Sequence, residues 1–288
     1  MLVRHRLFFK ACERTELRGV TFESGESTFL SDGNVYVSDC EFNDVHGNAM
    51  VIGEVGRTAV IEDCVFRRNG APVRQTPTDY GGAIWAETGV RTTRCQFYDN
   101  VAEERGGAIF TPGEIAIEDC LFVRNEAAEG AAVWMGSQAG SVVRSCTFYE
   151  NSCRNNADAA LHVAWANYET EVEQCLFVGT RSGVGMFCDG LVRRGCCLYW
   201  DNEYGSASPY FYCPPTEGEI ADPFFCDPAG LDFRVRVGSP CLSGNYTPDS
   251  TCGVIGAFGE GCGVSPVVRV TWGGIKSRFS DAGKRRDE

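Results

Sequence analysis

One short unit recurs along this chain at the period of a solenoid coil. Aligned on its cysteine it reads Cys40-Glu-Phe42, Cys64-Val-Phe66, Cys95-Gln-Phe97, Cys120-Leu-Phe122, Cys146-Thr-Phe148 and Cys175-Leu-Phe177. Successive cysteines lie 24, 31, 25, 26 and 29 residues apart, the length of one repeat and too short for a domain. An Asn follows the Phe by three residues in four copies, as Asn69, Asn100, Asn125 and Asn151. Fainter copies, Val20-Thr-Phe22 and Cys197-Leu-Tyr199 with Asn202, bracket the series.

In an extended strand the Cys and the Phe two residues on share one face, and the residue between them points the other way. Those in-between residues are mixed (Glu41, Val65, Gln96, Leu121, Thr147, Leu176), as an outer face should be. Three residues before each Cys stands a β-branched residue: Val37, Ile61, Thr92, Ile117, Val143, Val172. The polar pair between it and the Cys breaks the period of two and marks a corner. The Asn suits a second corner, because Asn tolerates left-handed backbone, and stacked corners would align these amides into a ladder. The Gly-rich segments Gly81-Gly-Ala-Ile84, Gly106-Gly-Ala-Ile109 and Gly130-Ala-Ala-Val133 read as a tight turn and then a strand. Helical periodicity is absent over this span. Short strands without helices, repeated per coil, define an all-β chain: a parallel β-helix of about eight coils, a rod of roughly 40 Å at one strand separation per coil. The expected organisation is repeats over residues 1–205, the last coil or coils and a Cys-rich cap over 206–262, and a basic tail over 263–288.

A chain of 288 residues that is 43% hydrophobic can build a substantial core. A net charge of −13 argues against binding a nucleic-acid backbone. No run approaches the roughly 18 apolar residues of a membrane span. The start, Met1 to Lys10, is basic but lacks the apolar core of a signal peptide. The expectation is a secreted or cell-surface protein whose export signal lies outside this sequence; a cytoplasmic protein is the alternative.

Eleven of the sixteen cysteines fall into two groups. Cys40, Cys64, Cys95, Cys120, Cys146 and Cys175 recur at one inward position and read as a stack of buried, apolar thiols rather than a metal or redox ladder. Cys213, Cys226, Cys241, Cys252 and Cys262 lie in a Gly/Pro/Asp-rich region where short loops suit disulfides, and the odd one can pair with Cys188, Cys196 or Cys197. A Cys241–Cys252 bridge within a segment capping the last coil is expected.

Aligning the Gly-rich starts puts Trp85, Phe110, Trp134 and His162 at one position on successive coils. If Ile84, Ile109, Val133 and Leu161 point inward, those four rings point outward and could form a stacking platform for a sugar polymer; with the alternation reversed they are core. Two long intervals, Gly70–Tyr80 and Ser152–Asp158, must loop out beside this row, where Asp79, Tyr80, Asn155 and Asn156 could supply hydrogen bonds.

Cys-x-Phe-x-x-Asn followed by Gly-Gly-Ala-Ile resembles the polymorphic outer-membrane-protein repeat, a branch of the right-handed, pectate-lyase-like β-helix superfamily. The stretch from Asp222-Pro-Phe-Phe-Cys-Asp-Pro228 through Gly238-Ser-Pro-Cys241 and Cys252-Gly-Val-Ile-Gly-Ala-Phe258 to Gly261-Cys262 is similar to the closing segment of secreted bacterial β-helix proteins. The resemblance implies a right-handed coil and export to the surface or medium. Polygalacturonase-like motifs (Asn-Thr-Asp, Asp-Asp, Gly-His-Gly, Arg-Ile-Lys) are missing from the repeats, and none of the three histidines adjoins paired carboxylates. Lyases of this fold imply Ca²⁺-binding acids with an Arg or Lys base. Asp39, Asp63 and Asp119 hold one outward column, but Arg94 interrupts it. No catalytic residue, metal or cofactor is therefore assigned; Ca²⁺ enters only if the chain is a lyase. Two readings stand: a non-catalytic module that binds a polysaccharide or cell-surface component, or a polysaccharide-active enzyme. Three or more acids with an Arg or Lys in one cleft favour the enzyme; an aromatic, ion-free groove favours binding. Val264–Glu288, with six basic residues against three acids, reads as a sorting or anchoring tail.

Overall fold

The computed structural model describes residues 2–3, 7–9, 14–25, 29–31, 34–53, 58–70, 79–87, 89–136, 138–154, 158–164, 168–189, 191–205 and 219–262. Among them every regular element is a strand. The strands assemble into three long parallel sheets, one of ten strands and two of eight. Among the described residues no helix is long and apolar enough to cross a membrane.

The register follows the repeat. In the first sheet Phe66 pairs with Phe42 and Phe97, and Phe122 with Phe97 and Phe148. The resulting internal column of rings runs from Phe22 to Phe177, each fully buried, with centroids 4.6–4.9 Å apart and planes nearly parallel. The strand separation sets that spacing, so one inward Phe per coil stacks automatically. The second sheet turns Ile84, Ile109, Val133, Leu161 and Met186 inward, and the third turns in Val37, Ile61, Thr92, Ile117, Val143 and Val172. The repeated thiols are buried as expected, and Cys197 continues their column. Each donates to the carbonyl two residues back, as Cys64 Sγ to Glu62 O at 3.1 Å and Cys120 Sγ to Glu118 O at 3.1 Å.

Both corners are left-handed. Gly19, Asp39, Asp63, Arg94, Asp119, Ser145, Gln174 and Cys196, each just before the Cys or its equivalent, all have φ between 51° and 63°. At the second corner the left-handed residue is not the Asn but the one before it: Arg68, Asp99, Arg124, Glu150, Gly179 or Asp201. The physical reason is division of labour. The left-handed residue projects into water and is charged in most coils, whereas Asn69, Asn100, Asn125 and Asn151 are completely buried. Each of these Asn side chains donates to the Phe carbonyl of the preceding coil at 2.9–3.1 Å. The first three also donate to the next Asn Oδ1 at 2.9–3.0 Å. That Oδ1 also accepts the preceding rung's backbone N–H at 2.9–3.1 Å, so the ladder satisfies the buried corner backbone.

The C-terminal segment departs from expectation in route and bonding. Glu219–Ile220 adds a strand to the first sheet, and the hairpin Phe225–Asp227/Asp232–Val235 then lies across the sheet's outer face, alongside the solenoid rather than over its end. Phe225, Phe233, Val235, Tyr246 and Ile255 pack on Leu121, Val123, Leu176, Val178 and Leu198. Tyr246 donates its hydroxyl to Cys197 O at 2.9 Å, and Ala257 N donates to Thr147 Oγ1 at 2.9 Å. The expected Cys241–Cys252 bridge is not formed. Cys252 is bonded to Cys196 on the last coil and Cys226 to Cys262. The lateral route carries Cys252 to the coil corner where Cys196 sits. In the last coil the registers of Val172 and Phe177 are taken by Arg194 and Tyr199, so the repeat becomes polar where it stops.

Candidate functional site

The aromatic row forms as the alternation required: Trp85, Phe110, Trp134 and His162 are in register, Phe187 extends them, and the aliphatic residues preceding them face the core. The row is outward but not open. Trp85 is half-buried, while Phe110, Trp134 and His162 are only 9%, 2% and 6% exposed. Centroids lie 4.9 Å apart for Phe110–Trp134, 5.9 Å for Trp134–His162 and 4.7 Å for His162–Phe187. Rings at strand spacing cover one another's faces, leaving no gap for a sugar. Tyr80 packs on Phe110 at 4.7 Å, and the Arg105 guanidinium, held by Glu129 at 2.7 Å, lies 5.1 Å over Trp134.

His162 is also fixed. Its Nδ1 lies 3.0 and 3.2 Å from the two oxygens of Asp158, whose Oδ1 already accepts the N–H groups of Gly130 and Ala159, each at 2.7 Å. The carboxylate thus anchors a turn and orients the imidazole. This row is a second, smaller apolar layer outside the coil. Asp79 is exposed and Tyr80 half-buried; Asn155, Asn156 and most of the Gly70–Tyr80 insertion lie outside the described residues.

The acid column before the cysteines is broken by an ion pair, since Arg94 donates to both oxygens of Asp63 at 2.8 and 2.9 Å. Cys196, Asp249 and Cys252 converge to metal-ligand distances, but both sulfurs are consumed by their disulfide.

A cleft of about 270 Å³ opens elsewhere, between the second corner of the last coils and the C-terminal segment. The coils contribute Tyr149, Glu150, Val178, Gly179, Trp200 and Asp201; the segment contributes Asp222, Phe224, Phe225 and Arg236. The floor comes from the left-handed corner column. Lower in that column acids and arginines alternate as ion pairs, Arg68 with Asp44 at 2.6 Å and Arg124 with Asp99 at 2.8 Å. Higher up it reads Glu150, Gly179, Asp201, and the glycine, left-handed at φ 66°, makes a notch between two carboxylates. Even a Cβ there would stand 3.3 Å from the Glu150 side chain.

Trp200 and Phe224 border the notch at 38% and 45% exposure. Phe224 has a left-handed φ of 56°, which costs a non-glycine residue on the order of 1–2 kcal/mol. An Asx turn, Phe224 N to Asp222 Oδ1 at 2.8 Å, and the bond from Arg236 N to Phe224 O at 2.9 Å hold it there. Burial, helped by Glu150, pushes the Tyr149 phenol up, keeping it a neutral hydroxyl beside that carboxylate.

Sequence reading missed this cleft because its walls are far apart in the chain. Two signals were present: the in-between position turns apolar at Leu121, Leu176 and Leu198, announcing a cover, and the corner column breaks at Gly179. No curated protein and no solved structure matches the chain. A family model described as the right handed beta helix region matches residues 7–190, well over half of the 288. With the parallel solenoid that these residues build, the match places the chain in the right-handed β-helix family.

Proposed function

We propose that this β-helix protein is a secreted or cell-surface binding module that holds a glycan, without cleaving it, in the cleft beside Trp200. The observation that carries this reading is the pair of exposed rings, Trp200 and Phe224, set against carboxylates that can accept sugar hydroxyls. Disulfides at Cys196–Cys252 and Cys226–Cys262 support an oxidising compartment.

A polysaccharide-active enzyme is the second reading, favoured by one observation: Glu150, Asp201 and Asp222 share the cleft with Arg236. Three acids and a guanidinium meet the criterion set from the sequence for catalysis. Asp222 holds the Phe224 turn, however, and Asp201 lies 3.7 Å from Arg181, so two of the three acids are already engaged and binding stays the first reading. Glu150 and Asp201 stand two rungs apart, roughly 9–10 Å along the backbone. That approaches the carboxyl separation of about 6.5–9.5 Å in inverting hydrolases.

A glycan array and a reducing-end assay separate the two. Wild type is expected to bind a set of neutral or weakly charged glycans and release no product. A Trp200→Ala, Phe224→Ala double variant should bind about tenfold or more weakly, since each ring contributes on the order of 1 kcal/mol. No binding by wild type ends the reading; product release that stops in Glu150→Gln or Asp201→Asn replaces it with the enzyme.

A further inference from the structure

The solenoid stops with one core position uncovered. In the ten-stranded sheet Glu219–Ile220 is the last strand, paired with Leu198 and Tyr199 on one side, and among the described residues no strand pairs with its other side. Ile220 takes the register of Tyr199, whose ring stacks on Phe177 at 5.2 Å, so it is the next member of the buried ring column. Every earlier member, from Phe22 to Tyr199, is at most 1% exposed, whereas Ile220 is 69% exposed. The segment that follows turns aside onto the outer face of the sheet and leaves both the edge and Ile220 open. A bare strand edge beside apolar surface invites pairing, and solenoids cover such ends with a capping element.

The chain itself continues close by. Cys262 is bonded to Cys226 with Cα atoms 5.4 Å apart, and Cys226 is six residues beyond Ile220. Six residues keep Cys226 within roughly 20 Å of Ile220, and residues five to ten past Cys262 reach roughly 17–33 Å from it. Val264–Glu288 lies outside the described residues, but between Pro266 and Gly273 its sequence is Val-Val-Arg-Val-Thr-Trp. All but Arg269 are β-branched or aromatic, and Val268, Val270 and Trp272 alternate as one face of a strand does. Six basic residues against three acids make this tail net +3 on a chain of net −13, so the remainder carries −16. That remainder attracts its own tail and repels a second copy of itself, and the tether raises the tail's effective concentration at the edge. We infer that Val267–Trp272 adds as a strand to the free edge of Glu219–Ile220, with Val268, Val270 and Trp272 turned over Ile220, and so closes the end of the solenoid.

Hydrogen–deuterium exchange of the full chain, with sedimentation to fix the oligomeric state, tests this. In wild type the amides of Val267–Trp272 should exchange at least about tenfold more slowly than an unstructured chain, and the protein should sediment as a single protomer. Ile220→Asp, a change at an exposed position, should restore unprotected exchange across that segment, and Ile220→Val should not. Val270→Asp should act alike from the tail side while Ile109–Thr111 in the core stays protected, so it decides the matter should the Ile220 variant unfold. Unprotected exchange of Val267–Trp272 in wild type overturns the inference. A dimer also overturns it, since the edge then belongs to a second copy. Protection that survives both Asp substitutions does so too, because the tail is then held elsewhere.

Discussion

Asn125→Leu lowers the unfolding free energy by about 4 kcal/mol, seen as a shifted urea midpoint. Leucine nearly conserves the volume, so the loss comes from orphaned polar groups. Asn125 accepts from Asn100 N at 3.1 Å and Asn100 Nδ2 at 2.9 Å, and it donates to Phe97 O and Asn151 Oδ1, each at 3.0 Å. All lie where no water reaches, since Asn69, Asn100, Asn125 and Asn151 are fully buried. Each unsatisfied buried group costs about 1–3 kcal/mol, and some relax onto neighbouring carbonyls, which gives the figure above. The effect should depend on position. Asn202, half-buried and parted from the ladder by Thr180, has a side chain that among the described residues accepts from Thr180 N and donates to Phe177 O. Asn202→Leu should therefore cost about half as much or less. Equal costs at both positions would mean that the ladder does not act as a cooperative column.

Cys120→Asp has a comparable effect by a different route, about 3–5 kcal/mol, the penalty for an uncompensated buried charge. Cys120 is fully buried among the neighbouring thiols and the Phe column, and its sulfur already donates to Glu118 O at 3.1 Å and Thr92 O at 3.6 Å and accepts from Cys95 N at 3.4 Å. Burial already pushes the thiols of Cys95 and Cys146, on either side, well above the ordinary range. The carboxyl introduced here would likewise have a folded-state pKa above its unfolded value, so the native state holds the proton more tightly. The variant's stability must then fall as pH rises from about 4, the unfolded carboxyl value, and recover in acid. Cys120→Ala is the control and should show no such pH slope. Chemical denaturation across a pH series reads both; a flat profile for the Asp variant would show that water reaches the thiol column.

How much of this was legible in the sequence follows from what each residue depends on. Phe122 and Cys120 need only the neighbouring coil, and a repeat supplies its own neighbour, so the core could be read directly. The second corner was half-read. Asn125 was placed in a ladder, but the left-handed residue is Arg124, because the sequence does not tell which of two adjacent polar residues faces the interior. Outwardness was legible for Trp134 and exposure was not, since parity along a strand fixes direction but not what covers it. The partner of Cys252 and the cleft at Gly179 were beyond reach for one reason. Both depend on where residues 219–262 cross the first sheet, and that route is decided by apolar packing between segments remote in sequence.

The central claim is that ligand is held at the cleft and not along the stacked row, and hydrogen–deuterium exchange with saturating oligosaccharide tests it most directly. Protection is expected at Tyr149–Glu150, Val178–Gly179, Trp200–Asp201 and Asp222–Phe225, with exchange unchanged over Ile84–Ala86, Ile109–Thr111 and Val133–Gly136. Protection confined to the row strands, with the cleft segments unaltered, would contradict the account.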